Sequence, residues 1–144
     1  MTTAQHLAAI DLLRSRPFPA ERGRSELGDS GPGYHLAALR TAADGVAVRR
    51  EAAAEQCEAE CEALAGALSG RWGEAQLISL WSASVRSAAG EDVAAPWDEL
   101  SHSAASVYLW RVESHWIAVG LSRRAADDRQ PYQLLAVVTE IDPP

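Results

Sequence analysis

Hydrophobic positions fall three and four apart over two stretches of the chain and crowd into short runs over the rest. Leu7, Ile10 and Leu12 or Leu13 recur at helical spacing behind Thr2 and Thr3, and Pro17 ends the run, so a short helix opens the chain. Residues 16–33 gather Pro, Gly, Ser and charges with no apolar period, the texture of a loop or linker. From Tyr34 to Leu68 the period returns, through Leu36, Leu39, Ala43, Val46, Ala53, Cys57, Cys61, Leu64 and Leu68, with Arg50 interrupting. This predicts a long amphipathic helix, kinked or divided at Asp44-Gly45 and stopped by Gly70 and Gly73. Glu51, Glu55, Glu58 and Glu62 fall on the opposite side of its wheel.

Beyond it the pattern turns to strands. Residues 75–81 read as a strand, the segment starting at Ser82 as a short helix capped by that serine, and Pro96 as the entry to one further turn. Residues 106–122 read as a hairpin turning about Glu113-Ser114, although that pair lacks the glycine a tight turn prefers, and residues 131–141 as the last strand. The expected fold is α+β: an antiparallel sheet of about four strands packed by one long amphipathic helix, with a short N-terminal helix and short connecting helices. Residues 1–33 form an arm and linker in this reading, and 34–144 a single domain.

A turn at Glu113-Ser114 sets Trp110 opposite Ile117 and Arg111 opposite Trp116. Tyr108, Trp110, Val112, His115, Ile117, Val119 and Leu121 then share one face; Val107, Leu109, Arg111, Trp116, Ala118 and Gly120 share the other. In the last strand Leu134, Ala136 and Val138 oppose Leu135, Val137 and Ile141. Both faces are too apolar for a sheet with one side in water. The long helix covers one; the N-terminal helix, the short helices around Val85 and Trp97, or another chain must cover the second.

Composition narrows the function classes. The chain has 144 residues, 47% of them hydrophobic, enough for one core. Its net charge of −7 repels phosphate, and the Arg49-Arg50 and Arg123-Arg124 pairs are each followed by acids, so no nucleic-acid binding is expected. No apolar run approaches the roughly 20 residues that span a bilayer, and the start lacks a basic leader region, so a cytoplasmic protein with no membrane partner is expected. All 13 basic residues are arginine. With the abundant alanine, this fits a GC-rich, bacterial coding bias.

The two cysteines, Cys57 and Cys61, carry three possible chemistries. Zinc takes thiolates and imidazoles, and His102 and His115 would complete a set of four, but the spacing matches no finger or ribbon. A disulfide inside one helix is poorly placed, because i and i+4 side chains stand about 5–6 Å apart and a bridge needs Cβ atoms about 3.8 Å apart. The preferred reading is two buried, reduced, inert thiols on the helix seam, with no cofactor and no metal. Asp98, Glu99 and His102 at local helical spacing, with His115, hold the minimal equipment for acid–base work. No nucleophile elbow, zinc-protease, P-loop or dinucleotide pattern accompanies them. An enzyme using Asp98, His102 and His115 therefore ranks below a small-molecule or metal-binding domain with a Trp-lined pocket. Both rank below a non-enzymatic interaction protein that pairs with another chain or with itself. Five Trp lie between positions 72 and 116, mostly as core with one or two exposed, and Trp97, Trp110, Trp116, Arg111 and Tyr108 form the expected contact surface.

Overall fold

A computed structural model describes residues 3–25, 28–42, 47–122 and 132–144. Its elements run α1 (Thr3–Ser15), β1 (Gly23–Ser25), β2 (Gly28–Gly31), β3 (Tyr34–Ala42), α2 (Ala47–Trp72), β4 (Gln76–Ser79), α3 (Trp81–Ala88), α4 (Trp97–Ser103), β5 (Ser106–Val112), β6 (His115–Leu121) and β7 (Tyr132–Thr139). The fold is α+β. The strands form one sheet in the order β1-β2-β3-β7-β6-β5-β4, every neighbouring pair antiparallel.

Seven strands replace the four expected, and all three additions come from residues 23–42. β1 and β2 are short, polar and glycine-bearing, so they carry no alternation to betray them. β3 was hidden differently. Leu36 packs with the core on one side of the sheet and Leu39 with the core on the other, across a bulge between Ala38 and Arg40. A strand apolar on both faces, interrupted by an extra residue, reproduces the three-residue spacing of a helix. The long helix accordingly begins at Ala47 rather than Tyr34; Asp44-Gly45, the loop 123–131 and the side chains of Arg49 and Arg50 lie outside the described residues. Gly70 sits inside α2, and Gly73 ends it with φ 93, its N–H donating to Ser69 O at 2.8 Å.

The hairpin register is the expected one: Trp110 pairs Ile117 and Arg111 pairs Trp116. Glu113 takes φ 56, supplying the left-handed residue of the tight turn without glycine. α1 and α2 cover one face, over Trp110, Ile117, Val119, Leu134, Ala136 and Val138. α4, with Leu80, covers the other, over Val107, Leu109, Ala118, Leu135 and Val137, and α3 packs on α4. The sheet is therefore a buried middle layer, which accounts for two apolar faces within one chain.

α1 is bound to this body. Ile10 is fully buried and Leu13 nearly so. Asp11 receives both terminal nitrogens of Arg71, at 2.8 and 3.2 Å. Buried His6 lies 3.9 Å from Glu60, so α1 and α2 run in the same sense.

Candidate functional site

Asp98 and His102 stand one turn apart on α4. Ser87 Oγ donates to Asp98 Oδ1 at 2.5 Å, and His102 Nδ1 lies 2.7 Å from the Asp98 carbonyl and 3.5 Å from Oδ1. A carbonyl only accepts, so Nδ1 carries the proton. His115 does not join them. It is on the opposite side of the sheet, its ring 5.5 Å from Phe18, which also contacts His35 at 5.0 Å. Glu99 pairs with Arg22. The acid–base group divides into a local helical pair and a ring packed beneath the N-terminal segment.

Cys57 and Cys61 form no disulfide and are buried, Cys61 within the core between α2 and the sheet, while Glu55, Glu58 and Glu62 are exposed. His102 and His115 lie on opposite faces of the sheet, so the four conceivable ligands do not converge. Among the described residues, no three His, Cys, Asp or Glu side chains gather as a metal site requires.

Burial pushes the Cys61 thiol up from 9.0 to about 11, helped by the charge of Glu62 and then by Cys57. Because the folded value is raised, the fold favours the neutral thiol. Its contribution is complete below pH 9 and disappears as pH climbs through 11, worth on the order of 2–3 kcal/mol. Thermal melts between pH 8 and 11 should show a steeper alkaline loss in the native chain than in Cys61→Ala. Parallel curves would mean that this thiol is not desolvated.

The five tryptophans separate sharply. Trp97 and Trp110 are buried and donate to Ile141 O at 2.9 Å and Gly73 O at 3.1 Å. Neither ring offers a face to another molecule, so both leave the expected contact surface. Trp116 is half-buried, donates to Asp142 Oδ1 at 3.0 Å and lies under the Arg111 guanidinium at 4.8 Å. Trp72 is partly buried beneath Arg14 and Arg71. Tyr108 is on the other face from Trp116 and Arg111, so the expected set is dispersed rather than brought together.

Trp81 is the open one, 68% exposed at the start of α3. Val85, one turn on, and Leu77 of β4 are exposed as well, so three of the four exposed large hydrophobic residues among those described fall within nine positions. The sequence offered one signal for this cluster. α3 is eight residues long, yet it and its cap carry apolar residues on two sides, Leu80 and Ala83 inward and Trp81 and Val85 outward.

Two hollows flank the cluster. A groove of about 430 Å³ opens between α2 and the sheet, where Glu58, Cys61 and Glu62 face Leu77, Tyr108 and Val119. A smaller one, about 270 Å³, lies between Trp81 and Ser84 on one side and Ser101 and His102 on the other. The larger groove carries Tyr108 and no tryptophan; Trp81 lines only the smaller. Between them runs β4, the terminal strand of the sheet, paired among the described residues to β5 alone.

A scan against protein-family models matched none, and searches of curated proteins and of solved structures likewise gave no match. Among the described residues no helix is long and apolar enough to cross a membrane.

Proposed function

We propose that this chain is a non-enzymatic interaction protein whose contact surface is the β4–α3 edge. The observation that carries the reading is Trp81, a large ring exposed beside Leu77 and Val85 while the other four tryptophans are packed or capped by their own chain. Exposed tryptophan concentrates binding energy where a partner excludes water from it. A cytoplasmic, bacterial setting accords with the two unbridged cysteines and the arginine-only basic residues. Binding of a small molecule is the second reading. It is favoured by the 430 Å³ groove, whose volume falls within the range of ligand pockets.

A photo-crosslinking residue at position 81, introduced into the chain in its native cells, is expected to give one adduct of defined mass. The same residue at exposed position 140 should give none. With the partner then purified, Trp81→Ala should weaken the complex by about 30-fold or more, the loss of a hot-spot contact of about 2 kcal/mol. Equal labelling from both positions, or a complex indifferent to Trp81→Ala, would remove this surface from consideration. A retained small molecule in native mass spectra would favour the groove instead.

A further inference from the structure

We infer that the occupant of this surface is an extended segment of another protein, alternating Arg or Lys with apolar residues, that adds to the sheet as an eighth strand along β4. The inference rests on the interaction reading above and names the partner's chemistry.

The backbone provides the first part. Among the described residues β4 borders β5 on one side and no strand on the other. Leu80 N–H donates to Ala105 O at 2.8 Å, so Leu80 faces β5. In an antiparallel pair successive residues alternate, which turns Ile78 inward with it and leaves Leu77 and Ser79 with N–H and C=O directed outward. Sheet edges are ordinarily shielded by charges, proline or a covering element. β4 has the sequence Gln-Leu-Ile-Ser, and its Leu77 side chain is 66% exposed. Its shortness is one of the usual shields, yet it is long enough for a few ladder bonds and carries neither charge nor proline.

Side chains provide the second part. A strand laid beside β4 directs alternate residues to the two faces of the sheet. On the α2 side they meet Leu77 and the exposed carboxylates of Glu58 and Glu62, one helical turn apart on the wall of the same groove. Arg or Lys fits there, its stem on Leu77 and its charge at the glutamates. On the α3 side they meet Trp81 and Val85, which call for apolar residues. The pattern of the occupant is therefore basic and apolar in alternation.

The same charges disfavour a second copy of this chain. A two-fold axis between paired β4 strands keeps both α2 helices on one side of the joined sheet and turns Glu58 and Glu62 of each toward the seam. Two chains of charge −7 would also repel.

A random-peptide display library selected on the full-length protein tests this, followed by titration of the enriched peptides. Alternating basic–apolar sequences should be enriched, and their binding should protect the Leu77 and Ser79 amides from hydrogen exchange. Glu58→Lys with Glu62→Lys, surface changes that leave the core intact, should weaken binding at least tenfold. Leu77→Pro should abolish it, since proline removes an outward N–H and spares the β4–β5 ladder. Leu77→Ala, which keeps the N–H, should retain part of the affinity, and this sets the ladder apart from mere side-chain contact.

Enrichment of helical or acidic peptides, no enrichment at all, or protection away from β4 would overturn the inference. So would a dimer of the free protein that Leu77→Pro dissolves, which would make a second copy the occupant. An adduct at position 81 whose partner tolerates Leu77→Pro would leave the interaction reading standing and remove only the added strand.

Discussion

Trp97→Ala is expected to destabilise the protein by about 3–5 kcal/mol, the cost of emptying a large aromatic site in a packed core. Trp97 is fully buried between Leu80, Leu100 and the second face of the sheet, where it anchors α4. Its indole N–H also holds Ile141 O at 2.9 Å, so truncation leaves a carbonyl short of a partner at a further cost of about 1 kcal/mol. Domains of this size are stable by only about 5–15 kcal/mol, so the variant should sit close to unfolding at ambient temperature. Trp97→Phe keeps most of the volume and loses the donor, for about 1–2 kcal/mol. Trp81→Ala, at an exposed site, should change stability by no more than about 0.5 kcal/mol. Urea unfolding followed by circular dichroism ranks the three. If Trp97→Ala and Trp81→Ala coincide, the α4 layer is not packed as described.

That ranking marks the boundary of what the chain discloses about itself. The hairpin, its register and the division of β5, β6 and β7 into two apolar faces followed from alternation alone, because period-two patterning is a local property that a short turn preserves. β3 reads as helix because its two-sided burial and the bulge at Leu39 depend on partners more than ninety residues away. β1 and β2 left no trace, since their pairing rests on backbone bonds that any sequence can make. The expected contact surface of Trp97, Trp110, Trp116, Arg111 and Tyr108 includes two buried rings for a similar reason. Tryptophan reads the same in a core and at an interface, and only the paths of α2 and α4 over the two faces of the sheet decide between them. Leu77 is exposed because α2 crosses β3, β7 and β6, touches β5 less, and leaves β4 at the margin.

The N-terminal helix shows a pattern that was legible and whose consequence is large. Deleting residues 1–18 should cost about 5 kcal/mol or more. Ile10 and Leu13 are worth roughly 1.5–3 kcal/mol each as buried side chains, and Leu64 and Leu68 beneath them return to water. The deletion also takes His6 away from Glu60, a residue only 7% exposed, and Asp11 away from Arg71. An isolated helix of this length is marginal in water, so packing orders α1 and α1 in turn completes the core. Trp72, which lies under the Arg14 guanidinium at 5.1 Å and edge-on to Trp110, should then see solvent, and emission should move to longer wavelength. The uncovered face should drive association, raising the mass seen by light scattering. Ile10→Ala with Leu13→Ala provides a milder version that keeps the ion pairs and should lose about 4 kcal/mol or more. A truncated chain that matches the full one in mass, emission and unfolding midpoint would mean that α1 contributes nothing to the core it covers.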